Sequence, residues 1–306
     1  MKRNFRCLYE EWIVMKQIVI ISGKGGTGKT VLTASFASLA KSKVMVDCDV
    51  DAADLHLLLH PVVKKRFEFR SGQTARIDMV RCCECGKCID MCRFDAIGKD
   101  FVIDPVSCEG CGLCSLICEY EAIGMEENIS GEWFISDTRY GPFVHARLGI
   151  AEDNSGKLVS RIRQAAKEIA ERERKSYILI DGPPGIGCPV IASITDTNLA
   201  VVVTEPTISG IHDMLRIIDT TGHFQIPVKV VINKYDLNQE NSGKIEHICE
   251  SRNIEIVGKI PFSAKVPRSL VKAVPFVEYT EDEVTEEILS IWNKMESIIQ
   301  EKKSSN

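Results

Sequence analysis

The chain has 306 residues, 44% of them apolar, and a formal net charge of −5 with both signs interspersed. That length admits one large domain or two unequal ones, and the acidic balance argues against a nucleic-acid partner, which usually demands a basic face. No apolar run approaches the roughly 18 residues of a membrane-spanning helix.

Residues 1–14, MKRNFRCLYEEWIV, lack the apolar core of roughly 7–15 residues that marks a secretory signal. They are expected to form an extension outside the folded domain, with Met15 leading straight into the first strand. Thirteen cysteines without an export signal, eight of them at metal-ligand spacing, point to a reducing cytoplasmic compartment rather than to disulfides.

Residues 17–22 (QIVIIS) read as an apolar strand, 27–41 as a helix, 44–47 as a second strand and 55–59 as a short helix. From about 61 to 140 the pattern changes, and cysteines, glycines and short segments are expected to dominate. The alternation resumes with an amphipathic helix over 157–174. Strands follow at 177–180, 199–204, 228–232 and 254–260, with helices at 208–221, 244–252 and 280–300. Strands separated by helices predict an α/β fold, a mostly parallel sheet covered on both faces, with ligands at the carboxyl ends of the strands.

Gly23, Lys24, Gly25, Gly26, Thr27, Gly28, Lys29 and Thr30 fit G-x-x-x-x-G-K-[ST] between a predicted strand and a predicted helix, the setting a phosphate-binding loop requires. Glycines let backbone N–H groups curl around phosphate oxygens at the positive end of a helix. Lys29 is expected on the β/γ-phosphates and the Thr30 hydroxyl on Mg²⁺.

Residues 82–98, CCECGKCIDMCRFDAIG, carry a second signature. Cys82, Cys85, Cys88 and Cys92 repeat at an offset of 26 as Cys108, Cys111, Cys114 and Cys118, and CRFDAIG recurs as CEYEAIG. This doubled spacing is that of a ferredoxin with two [4Fe–4S] clusters, in which each fourth cysteine serves the other cluster. Cluster one would take Cys82, Cys85, Cys88 and Cys118, and cluster two Cys108, Cys111, Cys114 and Cys92. The proline that usually follows the fourth cysteine is replaced by Arg93 and Glu119. Structural zinc is the competing reading of C-x2-C spacing. Cys83 has no assigned role.

The lysine after the first glycine of the loop resembles the deviant phosphate loop, KGGxGKT, of the MinD/ParA/Mrp and nitrogenase iron-protein group. From about residue 15 to 275, including GPFVHARL, NSGKLV, DGPPGIGCPV, VTEPT and INKYDLN, the chain resembles MinD-superfamily ATPases with an inserted ferredoxin domain. The resemblance implies an ATPase domain made of 15–60 and 141–306 and an insertion, 61–140, with its ferredoxin-like core at 76–126. It implies a homodimer with nucleotide at the interface, where Lys24 reaches the facing subunit's phosphates. It also makes Asp49 the residue that orients the attacking water, puts Asp47 near Mg²⁺, gives Asp181 a water-mediated hold on Mg²⁺ and sets Asn233 against adenine. Asp51 is the expected cap of helix 55–59.

Three functions follow from that resemblance. The leading one is an ATP-driven switch, coupled to two [4Fe–4S] clusters, that assembles or delivers a metallocofactor to an apo-metalloprotein partner. An ATP-gated electron donor serving a redox partner, like the nitrogenase iron protein, is the first alternative. A MinD-like positioning ATPase is the second. Because 281–296 is acidic on its polar side, helix 280–300 is expected to pack on the sheet rather than on anionic lipid. Cys48 and Cys249 are expected to be packed small residues, and Cys188 a buried neighbour of the second switch with a cluster-ligand alternative. His145 and His212 are expected to make only polar packing contacts. Lys64, Lys65, Arg66 and Arg70 are expected to line an exposed loop or edge strand.

Overall fold

Strands that are apolar on successive residues must be covered on both faces, and the first strands of the chain are of that kind. The computed structural model describes residues 15–149 and 155–301, so the extension expected at 1–14 lies outside the described residues. β1 (Lys16–Ser22), α1 (Lys29–Leu39), β2 (Lys43–Asp47) and α2 (Leu55–Leu59) open the chain. After them come β3 (Val62–Ile77), α3 (Lys87–Asp90), α4 (Leu113–Leu116), β4 (Ile123–Thr138), β5 (Gly141–Leu148), α5 (Ser155–Arg172) and β6 (Tyr177–Pro184). The remainder is α6 (Cys188–Ile194), β7 (Leu199–Thr204), α7 (Ile208–His223), β8 (Val228–Asn233), a 3-10 turn (Tyr235–Leu237), α8 (Gln239–Ser251), β9 (Glu255–Ile260), α9 (Lys265–Val271), α10 (Phe276–Tyr279) and α11 (Glu283–Glu301).

The strands make one sheet in the order β3-β4-β5-β2-β6-β1-β7-β8-β9. It is parallel from β5 to β9 and antiparallel at the β3–β4–β5 edge. Alternate residues feed two cores. Val19, Ile21, Val46, Ile178 and Val202 pack with Ile162 and Ile169 of α5 and Met214 and Ile217 of α7. Ile18, Ile20, Leu179 and Val201 face the other way, onto Leu32 and Phe36 of α1 and Ile288, Ile291, Trp292 and Met295 of α11. The acidic C-terminal helix therefore spends its apolar stripe on the sheet, as expected from its charge. The carboxyl ends of β1, β2, β6, β7 and β8 meet at one edge, where the phosphate loop lies.

The insertion departs from the short-segment expectation. Its flanks are two strands of 16 residues, paired antiparallel from Val62↔Asp137 to Ile77↔Ile123. The half of β4 nearer its end also pairs with β5, from Gly131↔Leu148 to Thr138↔Gly141, so the insertion grows out of the main sheet as a two-stranded arm. At its base Trp133 stacks on Phe67 at 4.0 Å and lies under the Arg161 guanidinium of α5 at 4.6 Å. Along β3 the buried Phe69, Ser71 and Ala75 alternate with exposed residues, but polar Ser71 on β3 and Ser130 on β4 occupy covered positions, and that is why these strands left no clear apolar period in the sequence. Of the basic residues on β3, Lys64 pairs with Asp137 at 3.3 Å, Arg66 with Glu132, and Arg70 with Glu68 at 2.7 Å.

At the tip the internal repeat is visible in the backbone. Gly86 and Gly112, at an offset of 26, are both left-handed (φ 78° and 73°) and open the one-turn helices α3 and α4. Asp95 and Glu121 are left-handed too (φ 51° and 48°). Ile77 pairs with Ile123, and the equivalent residues Ile103 and Ile97 pair with each other. The strand entering one half thus pairs with the strand leaving the other, which crosses the two halves.

Candidate functional site

Gly28, left-handed at φ 90°, ends the loop and opens α1. A Cβ there would meet the Asn233 amide nitrogen at 2.3 Å, and one at Gly23 would meet Asp213 Cβ at 2.1 Å. These contacts keep the loop wrapped and close to its neighbours, as backbone recognition of phosphate requires. The Thr27 hydroxyl is buried within the loop with no hydrogen-bond partner. An orphan donor in a cradle of this shape fits an anionic ligand.

Lys29, only 6% exposed, lies 3.2 Å from Asp181 Oδ1 and 3.9 Å from Asp49 Oδ2. Burial works against its charge, but Asp181, Asp47 and Asp49 outweigh it and hold the ammonium above its usual pKa. Thr30 Oγ1 donates to Asp181 Oδ2 and Thr33 Oγ1 to Asp181 Oδ1, each at 2.8 Å. The oxygen donors of Thr30 and Asp181 suit a hard divalent cation. Thr33 is a site residue outside the phosphate-loop motif. Its signal was the spacing GKTxxT, one helical turn beyond Thr30.

Asp47 is fully buried, and its two oxygens accept the Asp49 and Leu55 N–H groups at 3.0 and 3.2 Å. Burial, and next to it the Asp181 carboxylate, push its pKa well above the ordinary carboxylate range. Burial likewise raises that of Asp49. The expectation that Asp51 caps α2 fails: the first N–H of that helix is taken by Asp47, eight residues upstream. Asp49 instead accepts the Ala52 N–H at 3.3 Å within its own turn.

Lys24, expected to reach a facing subunit, is held within its own chain. Its ammonium sits 2.5 Å from Glu205 Oε1 and 3.3 Å from the hydroxyls of Thr207 and Ser209. Glu205 also pairs with Lys234 at 3.1 Å, and Lys234 donates to the Gly26 carbonyl. Asn233 donates to the Thr27 carbonyl at 2.7 Å. Asp236, the acidic residue of NKYD, is exposed and accepts the Phe262 N–H at 2.7 Å on one carboxylate oxygen.

The cysteines divide between two cavities at the arm tip. Cys82, Cys85, Cys88 and Cys118, with Cys83, line one of about 210 Å³. Cys92, Cys108, Cys111 and Cys114 line a narrower one of about 40 Å³. Backbone N–H groups point at sulfur in both halves of the repeat: Glu84 to Cys82 and Ala122 to Cys118, at 3.4 Å each, and the Lys87 and Ser115 amides to Cys85 and Cys114. The Lys87 amide holds the Cys85 thiol below its usual pKa, whereas burial pushes the Cys88 and Cys114 thiols up. Among the described residues no group of three or more His, Cys, Asp or Glu side chains converges on a single ion position.

Cys48 and Cys249 are buried as expected, whereas Cys188 is exposed at the start of α6, contrary to the expectation of burial. A helix of seven residues begins there instead of a continuing loop, and this turns the thiol outward. His145 stacks on Phe143 at 4.7 Å and Phe134 at 4.9 Å and meets Ser136 Oγ at 3.1 Å. His212 lies 3.3 Å from Asp213. No helix of the described residues is long and apolar enough to cross a membrane.

The chain is similar to several known proteins. An uncharacterized protein of Methanocaldococcus jannaschii is 37% identical over 291 residues, 94% of this chain and 98% of that one. The putative septum site-determining protein MinD of Oltmannsiellopsis viridis is 25% identical over 276 residues, 86% of this chain and 69% of that one. The fold is similar to that of the septum site-determining protein MinD of Pyrococcus horikoshii complexed with Mg-ADP, with a TM-score of 0.60 at 17% identity over 93% of this chain and 97% of that one. The profile of the CobQ/CobB/MinD/ParA nucleotide-binding domain matches residues 18–276. With its phosphate loop, acidic cluster and parallel sheet, the chain belongs to the CobQ/CobB/MinD/ParA nucleotide-binding family.

Proposed function

We propose that the protein is a MinD-like ATPase switch that binds Mg·ATP, dimerises across its phosphate loop and engages a partner in the joined state. The observation that carries this is the meeting of Lys29, Thr30, Asp49 and Asp181 at one sheet edge, with Lys24 at the rim of the loop. Lys29 and the loop amides hold the nucleotide phosphates, Thr30 and Asp181 hold Mg²⁺, and Asp49 orients water toward the γ-phosphate. Bound Mg²⁺ would screen the phosphate charge. Asn233 is tied to the loop, and the resemblance of the loop to the deviant MinD/ParA type supports adenine as the base. The test compares sedimentation and phosphate release with ATP and GTP for wild type and Asp49→Ala. Wild type should hydrolyse ATP, while the variant should remain a dimer with ATP and turn over at least tenfold more slowly. A wild type that stays monomeric with ATP, or prefers GTP, would overturn the proposal.

The septum site-determining names of several relatives favour positioning of a partner over cofactor assembly. The apolar stripe of α11 is used against the sheet, so the partner is reached through another surface.

A second reading rests on the arm. The partition of eight thiols into Cys82/Cys85/Cys88/Cys118 and Cys92/Cys108/Cys111/Cys114 supports the crossed ligation of two [4Fe–4S] clusters. The four thiolates of such a cube stand at separate corners, so convergence on one ion is not what it requires. On this reading the free thiols suit the cytoplasm, and the switch delivers a metallocofactor or gates electrons to a partner. Bound clusters would supply one-electron chemistry. Backbone hydrogen bonds tie the segment after Asp49 to the root of the arm. The Leu148 N–H donates to the Val50 carbonyl beside Asp49, and Leu148 pairs with Gly131 at the root of the arm. Air-free protein should hold about eight irons. With an apo-acceptor or an oxidised redox protein, and ATP set against a non-hydrolysable analogue, departing iron supports delivery and departing electrons support gating. Air-free protein without iron overturns this reading and leaves the ATPase untouched.

A further inference from the structure

The two thiol cavities are not equivalent, although the backbone around them repeats. The first is lined by five thiols: the four at ligand spacing and Cys83. The residue 26 positions on from Cys83 is Glu109, which lies beside the second cavity, so that cavity has only four. The fifth thiol is not a stray surface group. Cys83, Cys85 and Tyr120 line the same cavity. Cys83 and Cys85 are both exposed, whereas Cys88, at the back of the same cavity, is buried. Left-handed residues at Glu84 and Gly86 fold the chain back so that positions 83 and 85 share the rim.

We infer that Cys83 is an alternative ligand at the Cys85 corner of the first cluster site. The inference rests on the second reading above, that the arm holds two [4Fe–4S] clusters. The exchange it allows is a substitution without electron transfer. The Cys83 Sγ–Fe bond forms as that thiol gives up its proton, the Cys85 Sγ–Fe bond breaks, and Cys85 takes up a proton. Two thiols serving one exposed corner let that corner open while three other cysteines keep their hold. The second site, with a carboxylate in place of the fifth thiol and a narrower cavity lined by Phe94, Ile97, Ile103, Leu113 and Met125, has no such substitute. The first site is therefore the exchangeable one and the second the fixed one.

The test uses the full chain, reconstituted without air as wild type, Cys83→Ser, Cys85→Ser, the double variant and Cys111→Ser. Iron and sulfide per chain are measured, together with the electron paramagnetic resonance spectrum of the reduced and mildly oxidised forms. Wild type and Cys83→Ser should hold about eight irons. Cys85→Ser should also hold about eight, with a shifted reduced spectrum that reports the new ligand. The double variant and Cys111→Ser should each lose about one iron and show a three-iron signal when oxidised. If Cys85→Ser and the double variant lose iron equally while wild type stays full, Cys83 is not a ligand and the cluster reading survives. If wild type takes up no cluster at all, the cluster reading fails and takes this inference with it.

Discussion

Lys29 is a cation that burial alone would neutralise, and it stays charged because Asp181, Asp47 and Asp49 surround it. The geometry of Asp181 depends in turn on two hydroxyls. Thr33→Val should remove one of them and weaken Mg²⁺-dependent ATP hydrolysis about tenfold, the worth of one hydrogen bond to a charged group. Thr33→Ser should restore it, and equal loss in both variants would show that packing, not the hydroxyl, matters. His145 offers a separate test. Burial, and then His56, lower its pKa to about 4. The unfolded imidazole, at about 6.5, binds its proton first as pH falls. Stability is thus complete above pH ~6.5 and falls on acidification toward 4, by at most about 1.4 kcal/mol per pH unit. Urea melts of His145→Gln at pH 7 and 5 should differ less than those of wild type, and equal differences would clear His145. At this scale Lys29 and Thr30 could be read directly, since one short motif contains them. The partners of Asp181 and Lys24 could not: Thr33 is 148 residues from Asp181, and Glu205 meets Lys24 only once β7 lies beside β1.

Among the elements, α11 was the most readable, because Val284, Ile288, Ile291, Trp292, Met295 and Ile299 recur at helical spacing and come to rest on the sheet. Trp292 is its anchor, 5.4 Å from Phe36 and 5.9 Å from Tyr177. Trp292→Ala should cost about 3–5 kcal/mol by urea unfolding, and a loss below about 1 kcal/mol would mean the helix is not part of the sheet's second core. The arm strands were the least readable. Their order comes from pairing with each other and, at the base, with β5, and the polar Ser71 and Ser130 at buried positions break the apolar alternation that would have marked them. The seven-residue α6 was missed for a related reason, being too short to show a helical period and opening on Cys188-Pro189.

At the scale of the whole molecule, Lys24 cannot reach a second chain while Glu205 holds it. Glu205→Gln removes that hold, so the ATP concentration that gives half-maximal dimer should fall by up to about fivefold, as expected for a partly exposed ion pair. A rise in that concentration would mean that Glu205 shapes the loop through Lys234 instead. The sequence by itself determined the local chemistry: a phosphate loop, a doubled cysteine run, and apolar strands that require cover on both faces. Each is written in contiguous residues, where spacing alone sets geometry. Only the tertiary structure decided which residues meet across the chain: the pairing of Lys24 with Glu205, the outward turn of Cys188, and the sorting of nine tip thiols into a cavity of five and a cavity of four. Those outcomes depend on strand order and on the crossing of two repeated halves, and no local spacing encodes either.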